Sequence, residues 1–185
     1  MVYLFLANGF EEIEALCPLD LLRRAGVEVT TVGIGGDVIR GSHGIIVHAD
    51  IPDIMYRDSN PDMIILPGGM PGAKNLDESK TVDVAIKAAQ KKGAYIAAIC
   101  AAPFVLGKRG LLSGKNATCF PGFEDELEGA NIVKDSGVVV DGNIVTARGM
   151  GVAQRFGLTL VSLLCGEETA KNIEKSIQTE PYTNE

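Results

Sequence analysis

Short apolar runs recur along this chain, and helical patterns separate them. Val2-Tyr3-Leu4-Phe5-Leu6-Ala7, Met63-Ile64-Ile65-Leu66 and Tyr95-Ile96-Ala97-Ala98-Ile99 carry no charged side chain, and the stretch 27–32 is rich in β-branched residues. A strand wetted on one face alternates apolar and polar residues, whereas one covered on both faces reads as a continuous apolar run. Alternating β and α signals with continuous strands therefore predict an α/β protein with a mostly parallel central sheet covered on both faces.

The expected elements follow in order. A strand over 2–7 precedes a helix over 11–25 ended by Gly26, with Pro18 expected to kink or break it. After the strand over 27–32, residues 33–50 form a glycine-rich, hairpin-like excursion with Ile45-Ile46-Val47 as its return. The strand over 62–66 is stopped by Pro67-Gly68-Gly69, and a glycine-rich loop runs to Gly72. In the helix over 79–92, Val82, Ala85, Ile86 and Ala89 share a face and Gly93 closes the end. Then come a strand into Cys100, a helix over 103–108, a strand over 117–120, and a hairpin over 138–146 with Asp141-Gly142 as its turn. Two helices, over 151–164 and 167–178, precede a polar tail over 179–185.

The formal net charge of −7 and a pI near 4.9 argue against nucleic acid and anionic membranes as partners, since both require a basic face. No apolar run approaches the roughly 20 residues of a membrane span. Cys17, Cys100, Cys119 and Cys165 form no CxxC pair, and with His43 and His48 they give no zinc-ligand spacing. A reducing cytoplasm is the expected location. Gly33-Ile34-Gly35-Gly36 is too weak for a dinucleotide fingerprint and no Walker motif is present, so no cofactor and no metal are expected.

Cys100 carries the chemistry. It follows an apolar strand, small residues stand at 98, 101 and 102, and Pro103 sits where the first turn of a helix tolerates a missing N–H. This is the layout of a nucleophile elbow, with a thiol in place of a serine hydroxyl. A cysteine in an apolar run is commonly a buried small hydrophobe; the small-residue frame and Pro103 favour the functional reading. A helix N-terminus there is expected to favour thiolate over thiol.

In parallel sheets, sites form outside the carboxyl ends of the strands. Residues 8–14, Pro67-Gly68-Gly69 and Cys100 all fall at such ends. Glu11, Glu12 and Glu14 open the first helix, where each carboxylate contributes about 0.3–1 kcal/mol as a dipole partner. Glu14 is set further in. Beside a thiolate it would act as a neutral acid, its pKa raised by burial and by the neighbouring charge, and would relay protons. The backbone N–H groups of Gly68 and Gly69 suit a developing oxyanion.

Asn8-Gly9-Phe10-Glu11-Glu12-Ile13-Glu14, Leu66-Pro67-Gly68-Gly69, the 97–103 elbow and Thr146-Ala147-Arg148-Gly149 resemble, in order and spacing, the ThiJ/PfpI superfamily, and within it the Parkinson-disease deglycase subgroup with its bacterial relatives. The resemblance implies one domain over 1–178, a flavodoxin-like three-layer sandwich, and a homodimer. It implies an oxidation-sensitive Cys100, a protonated Glu14, and oxyanion N–H groups at Gly69 and Ala101. Arg24 and Arg148 match basic positions near the pocket or interface. Phe120 stands where part of the family has a histidine, and Ala101 stands where the protease branch has one, which disfavours a peptidase or amidase. His43 and His48, in the excursion, are expected at a surface or interface.

The implied activity is a cysteine-dependent, cofactor-independent glyoxalase or deglycase acting on small dicarbonyls, methylglyoxal to lactate, or on glycated groups. The alternative is a redox-sensing stress protein or chaperone built on Cys100.

Overall fold

A computed structural model describes residues 1–57 and 60–179. In chain order the elements are β1 (Val2–Leu6), α1 (Glu12–Arg24), β2 (Val29–Gly33), β3 (Val38–Arg40), β4 (Ile46–His48), β5 (Ile51–Pro52), β6 (Met63–Leu66), α2 (Gly72–Asp77), α3 (Lys80–Lys92) and β7 (Tyr95–Ile99). They continue with α4 (Pro103–Gly107), β8 (Asn116–Ala117), β9 (Asn131–Ile132), β10 (Val138–Asp141), β11 (Ile144–Ala147), α5 (Ala153–Cys165) and α6 (Glu167–Ser176).

Seven strands form the central sheet in the order β10-β11-β7-β6-β1-β2-β5, and every pairing except β10 with β11 is parallel. Numbered by themselves, β1, β2, β6, β7 and β11 run 2-1-3-4-5 across the sheet, the flavodoxin-like order. Leu4 pairs with Ile65 and Ile65 with Ala97, so equivalent positions stack side by side.

Alternate strand residues serve opposite faces. Phe5, Ile64, Leu66, Ile96 and Ala98 bury against α2, α3 and α4. Leu4, Leu6, Met63, Ile65, Ala97 and Ile99 bury against α1, α5 and α6. This alternation is why the runs are apolar throughout.

In α3, Ser79 Oγ accepts from Val82 N–H at 3.3 Å, Asp83 pairs with Lys87, and Val82, Ala85, Ile86 and Ala89 are buried as their spacing predicts. Gly93, at φ 72°, supplies the left-handed end.

Several local expectations are corrected. Helix α1 runs unbroken through Pro18, which sits in its middle turn against α5; a Cβ on Gly157 would lie 2.9 Å from Pro18 Cα. The expected strand over 117–120 shrinks to β8, because Thr118 N–H donates to Thr146 Oγ1 and Phe120 N–H to the Cys100 carbonyl, drawing the chain off the ladder. The β10–β11 turn is Gly142-Asn143, one residue later than expected, since Asp141 already pairs with Ile144. Gly72 begins α2 rather than ending a loop. The excursion is a true hairpin, β3 against β4. The expected tail beyond Thr179 lies outside the described residues. Among the described residues, no helix is long and apolar enough to cross a membrane.

Candidate active site

Strand order reverses between β1 and β6, and at such a switch point α/β sheets leave a crevice at the carboxyl ends of the strands. The loops after β1, β6 and β7 meet there. A second feature competes by size alone. A surface cleft of about 520 Å³ opens at the opposite end of the sheet, lined by Met1, Asp62, Lys92 and Tyr95 among others, and contains none of the sequence-predicted site residues.

Cys100 follows β7 with φ at 65°, a left-handed conformation that costs a non-glycine residue about 1–3 kcal/mol. Two backbone bonds hold it there: its N–H donates to the Ala147 carbonyl and its own carbonyl accepts from Phe120 N–H, both at 2.8 Å. The turn projects the side chain over the sheet end, and Pro103 opens α4 at its first position. The N–H groups of Gly69 and Ala101 are directed at the Cys100 sulfur.

Glu14 reaches the same point from α1 and is 1% exposed. Its Oε2 accepts from Gly68 N–H at 3.1 Å, while Oε1 is buried with no hydrogen-bond partner. Burial, helped by the charge of Glu11, raises its pKa to about 7; the adjacent Cys100 side chain and the N–H groups of Gly68 and Met150 pull the other way. Gly68 makes the approach possible. A Cβ there would fall 2.6 Å from both Cys100 Cβ and Glu14 Oε2. Its N–H is committed to Glu14, which corrects the expectation of an oxyanion donor at Gly68, whereas the N–H groups of Gly69 and Ala101 face the Cys100 sulfur.

The expected helix-terminus activation of the thiol is also corrected. Burial, together with the Glu14 charge and hydrogen bond, pushes Cys100 up to about 12, against the smaller pull of Gly69 and Ala101. Helix α4 is only five residues long and brings a weak dipole. The two groups thus compete for one negative charge. When the proton sits on Glu14, the repulsion at sulfur vanishes and the two N–H donors remain to receive a thiolate.

Phe120 lies at the site. A Cβ on Gly149 would be 3.3 Å from its ring and 3.8 Å from Glu14 Oε1. Arg148 neighbours the site in sequence, but its guanidinium donates to the Lys134 carbonyl and lines a separate 180 Å³ cleft with Cys119 and Glu124. The structure does not bring Arg24 to the pocket; it pairs with Asp20 one turn back on the exposed end of α1. His43 and His48 are exposed on the excursion.

Glu12 is the residue that sequence reasoning misplaced. Instead of a solvated dipole partner it is 3% exposed, and it accepts hydrogen bonds from His43 N–H at 2.8 Å, Ile45 N–H at 3.4 Å and Ser42 Oγ at 3.3 Å, with His43 Nδ1 at 3.0 Å. These donors hold its pKa at about 2 in spite of burial. Glu11, Glu12 and His43 place their ligand-type atoms within 4.8 Å of one another, but the Glu12 oxygens are committed to the β3–β4 loop. Nothing local in the sequence signals this, because the partners lie some 30 residues downstream.

The structure is an α/β fold of flavodoxin-like strand order, with a strained cysteine and a buried glutamate side by side at its switch point. The DJ-1/PfpI family model matches residues 1–163, and the chain belongs to that family. It is 37% identical to Protein dj-1beta of Drosophila melanogaster over 93% of each chain, and 32% identical to the glutathione-independent glyoxalase DJR-1.2 of Caenorhabditis elegans, covering 90% of this chain and 89% of the relative. The crystal structure of Drosophila melanogaster DJ-1beta superposes with a TM-score of 0.92 at 35% identity, covering 97% of this chain and 98% of that one.

Proposed function

We propose that this protein is a cofactor-independent, cysteine-dependent enzyme that converts reactive dicarbonyls to hydroxy acids, methylglyoxal to lactate, or removes the same adducts from glycated groups. The observation that carries the reading is the Glu14 carboxyl, buried with an unpartnered oxygen beside a strained cysteine. The glyoxalase name of the nematode relative agrees with it.

In the reactive form the proton is on Glu14 and the charge on Cys100. The thiolate adds to the aldehyde carbon, forming the C–S bond, and the new alkoxide takes the Glu14 proton to give a hemithioacetal. During addition the N–H groups of Gly69 and Ala101 stabilise negative charge. Glu14, now a carboxylate, removes the C1 proton to give an enediolate and returns it to C2 while the C1 hydroxyl proton passes to the C2 oxygen, leaving a thioester of the hydroxy acid. Water cleaves the thioester and restores the thiol. No electrons leave the substrate, since oxidation at C1 balances reduction at C2.

Lactate released from methylglyoxal by metal-free protein, and abolished in Cys100→Ala, is the expected result. Equal rates in the two proteins would end the enzyme reading.

A second role rests on the same unpartnered oxygen. Two equivalents of peroxide would carry the thiolate to sulfinate, each delivering one oxygen and leaving as water, and a protonated Glu14 would donate to a sulfinate oxygen. Intact mass after mild peroxide should rise by two oxygens at Cys100 alone; oxidation spread over all four cysteines counts against it.

The proposed setting is a reducing cytoplasm and a homodimer joined through the excursion, where Val38, Ile45 and Ile46 stand exposed, as does Ile13 of α1. Sedimentation equilibrium returning the single-chain mass of 19.6 kDa would remove the dimer.

A further inference from the structure

The 180 Å³ cleft that receives the Arg148 side chain is a second candidate site. One wall comes from the loop that follows β8, where Cys119 and Pro121 line the cleft while the ring of Phe120, between them, packs near Gly149 instead. The opposite wall is the chain from Ile132 to Lys134. The β8–β9 ladder and a bond from Val133 N–H to the Ala117 carbonyl, at 2.8 Å, tie the two walls together. Backbone bonds therefore form the cleft before any ligand arrives.

Two cations in it have no carboxylate at ion-pair distance among the described residues. Arg148 spends one guanidinium N–H on the Lys134 carbonyl at 3.1 Å and leaves its other donors uncommitted. The Lys134 ammonium makes no hydrogen bond or ion pair there. Glu124 is the carboxylate on the cleft. It accepts from Gly122 N–H at 2.6 Å and from its own N–H, and feels both cations at longer range. Cys119 adds no charge, because burial and the Glu124 carboxylate push its thiol up to about 11. Two positive charges thus face one negative charge, in a protein whose net charge is −7.

Thr118 asks for the same kind of ligand. It is 2% exposed, lines the cleft and gives its N–H to Thr146 Oγ1, while its own hydroxyl has no partner among the described residues. A nearly buried hydroxyl is normally paired, so this one is a donor without an acceptor. A guanidinium fork suits the paired oxygens of a carboxylate. The rest of the lining, Pro121, Ile132 and Val133, is hydrocarbon, which suits a short aliphatic tail and gives nothing to the remaining oxygens of a phosphate. The volume admits only a small molecule.

We propose that this cleft binds a small organic carboxylate, its oxygens on Arg148, Lys134 and the Thr118 hydroxyl and its aliphatic end against Pro121, Ile132 and Val133. The site uses neither Cys100 nor Glu14, so it goes beyond the dicarbonyl reading and does not rest on it.

Isobutyrate is the probe, with isobutyramide and inorganic phosphate as comparators at constant ionic strength. In amide NMR spectra of isotope-labelled protein, isobutyrate should give saturating shifts at Thr118, Cys119, Lys134 and Arg148, with a Kd of about 1 mM, the strength so small a ligand can supply. The neutral amide and phosphate should each bind about tenfold more weakly. Arg148→Gln combined with Lys134→Gln should raise the isobutyrate Kd about tenfold or more. Arg148→Lys keeps the charge but loses the fork, and should raise it severalfold, as should Thr118→Val. Both cations are exposed, and the same spectra verify that their variants are folded. Shifts centred elsewhere, no saturation, phosphate or the amide binding as tightly as isobutyrate, or an unchanged Kd in the double variant overturns the proposal. Lactate release from methylglyoxal decides the enzyme reading separately from each of these outcomes.

Discussion

Glu12 and Glu14 leave the same turn of α1, both are buried, and they end in opposite electrostatic states. Glu12 faces the β3–β4 loop, where backbone N–H groups and a histidine converge on its oxygens, and burial loses to hydrogen bonding: its pKa falls to about 2. Glu14 faces the ends of β6 and β7, where the Cys100 side chain and the N–H groups of Gly68 and Met150 are too few to offset burial and Oε1 is left without a hydrogen bond, and burial wins: its pKa rises to about 7. The difference teaches that burial alone does not set the charge of a carboxyl; the number of donors delivered to it does. One region uses its carboxylate as a fixed anchor for a loop. The other holds a carboxyl whose pKa lies near neutral.

The comparison breaks first at Glu14. Glu14→Gln keeps the shape and a hydrogen-bond donor but removes the transferable proton, and dicarbonyl turnover should fall about 10²- to 10⁴-fold. Alkylation of Cys100 by iodoacetamide at pH 8 should become faster, because the charge that raises the thiol pKa is gone. Unchanged turnover in that variant would return Glu14 to an inert buried acid. Glu11→Gln serves as the control on the same helix end.

A smaller effect is expected at Glu12, on stability. Glu12→Gln at pH 7 leaves buried donors facing an amide and should cost about 1–3 kcal/mol in denaturant unfolding. The pH dependence has opposite sign for the two residues. The folded pKa of Glu12 lies below the ordinary 4.5, so its contribution is present above 4.5 and is lost as pH falls toward 2. The folded pKa of Glu14 lies above 4.5, so its contribution is full below that value and is lost as pH rises through about 7. The stability difference between wild type and Glu12→Gln should therefore shrink below pH 4.5, while that for Glu14→Gln should change between 4.5 and 7. Parallel profiles for the two variants would erase the distinction.

The smallest effect is expected at Arg24. Its pair with Asp20 is exposed on both sides, so Arg24→Ala should move stability by no more than about 0.5 kcal/mol and leave turnover unchanged. A large loss of turnover would show that the exposed end of α1 reaches the site through a contact beyond its pair with Asp20.

Sequence by itself determined the layers of this protein and the strained turn at Cys100. Continuous apolar runs require cover on both faces, and the cover is there: Ile64 and Ile65 serve opposite helical layers. The elbow around Cys100 was legible because sterics act over a few neighbouring residues, so small side chains and Pro103 record the turn directly. Tertiary structure alone decided what happens to charge. Glu14 stands apart along the chain by its place further into the helix, but Glu11 and Glu12 look alike, and only the partners supplied by residues 42–45 make Glu12 a buried anchor. The same holds for the thiol, whose pKa follows burial and a facing carboxyl rather than its place at a helix start. Packing patterns repeat along a sequence and can be read from it; an electrostatic environment is the sum of groups brought together from distant segments, and it exists only once the chain has folded.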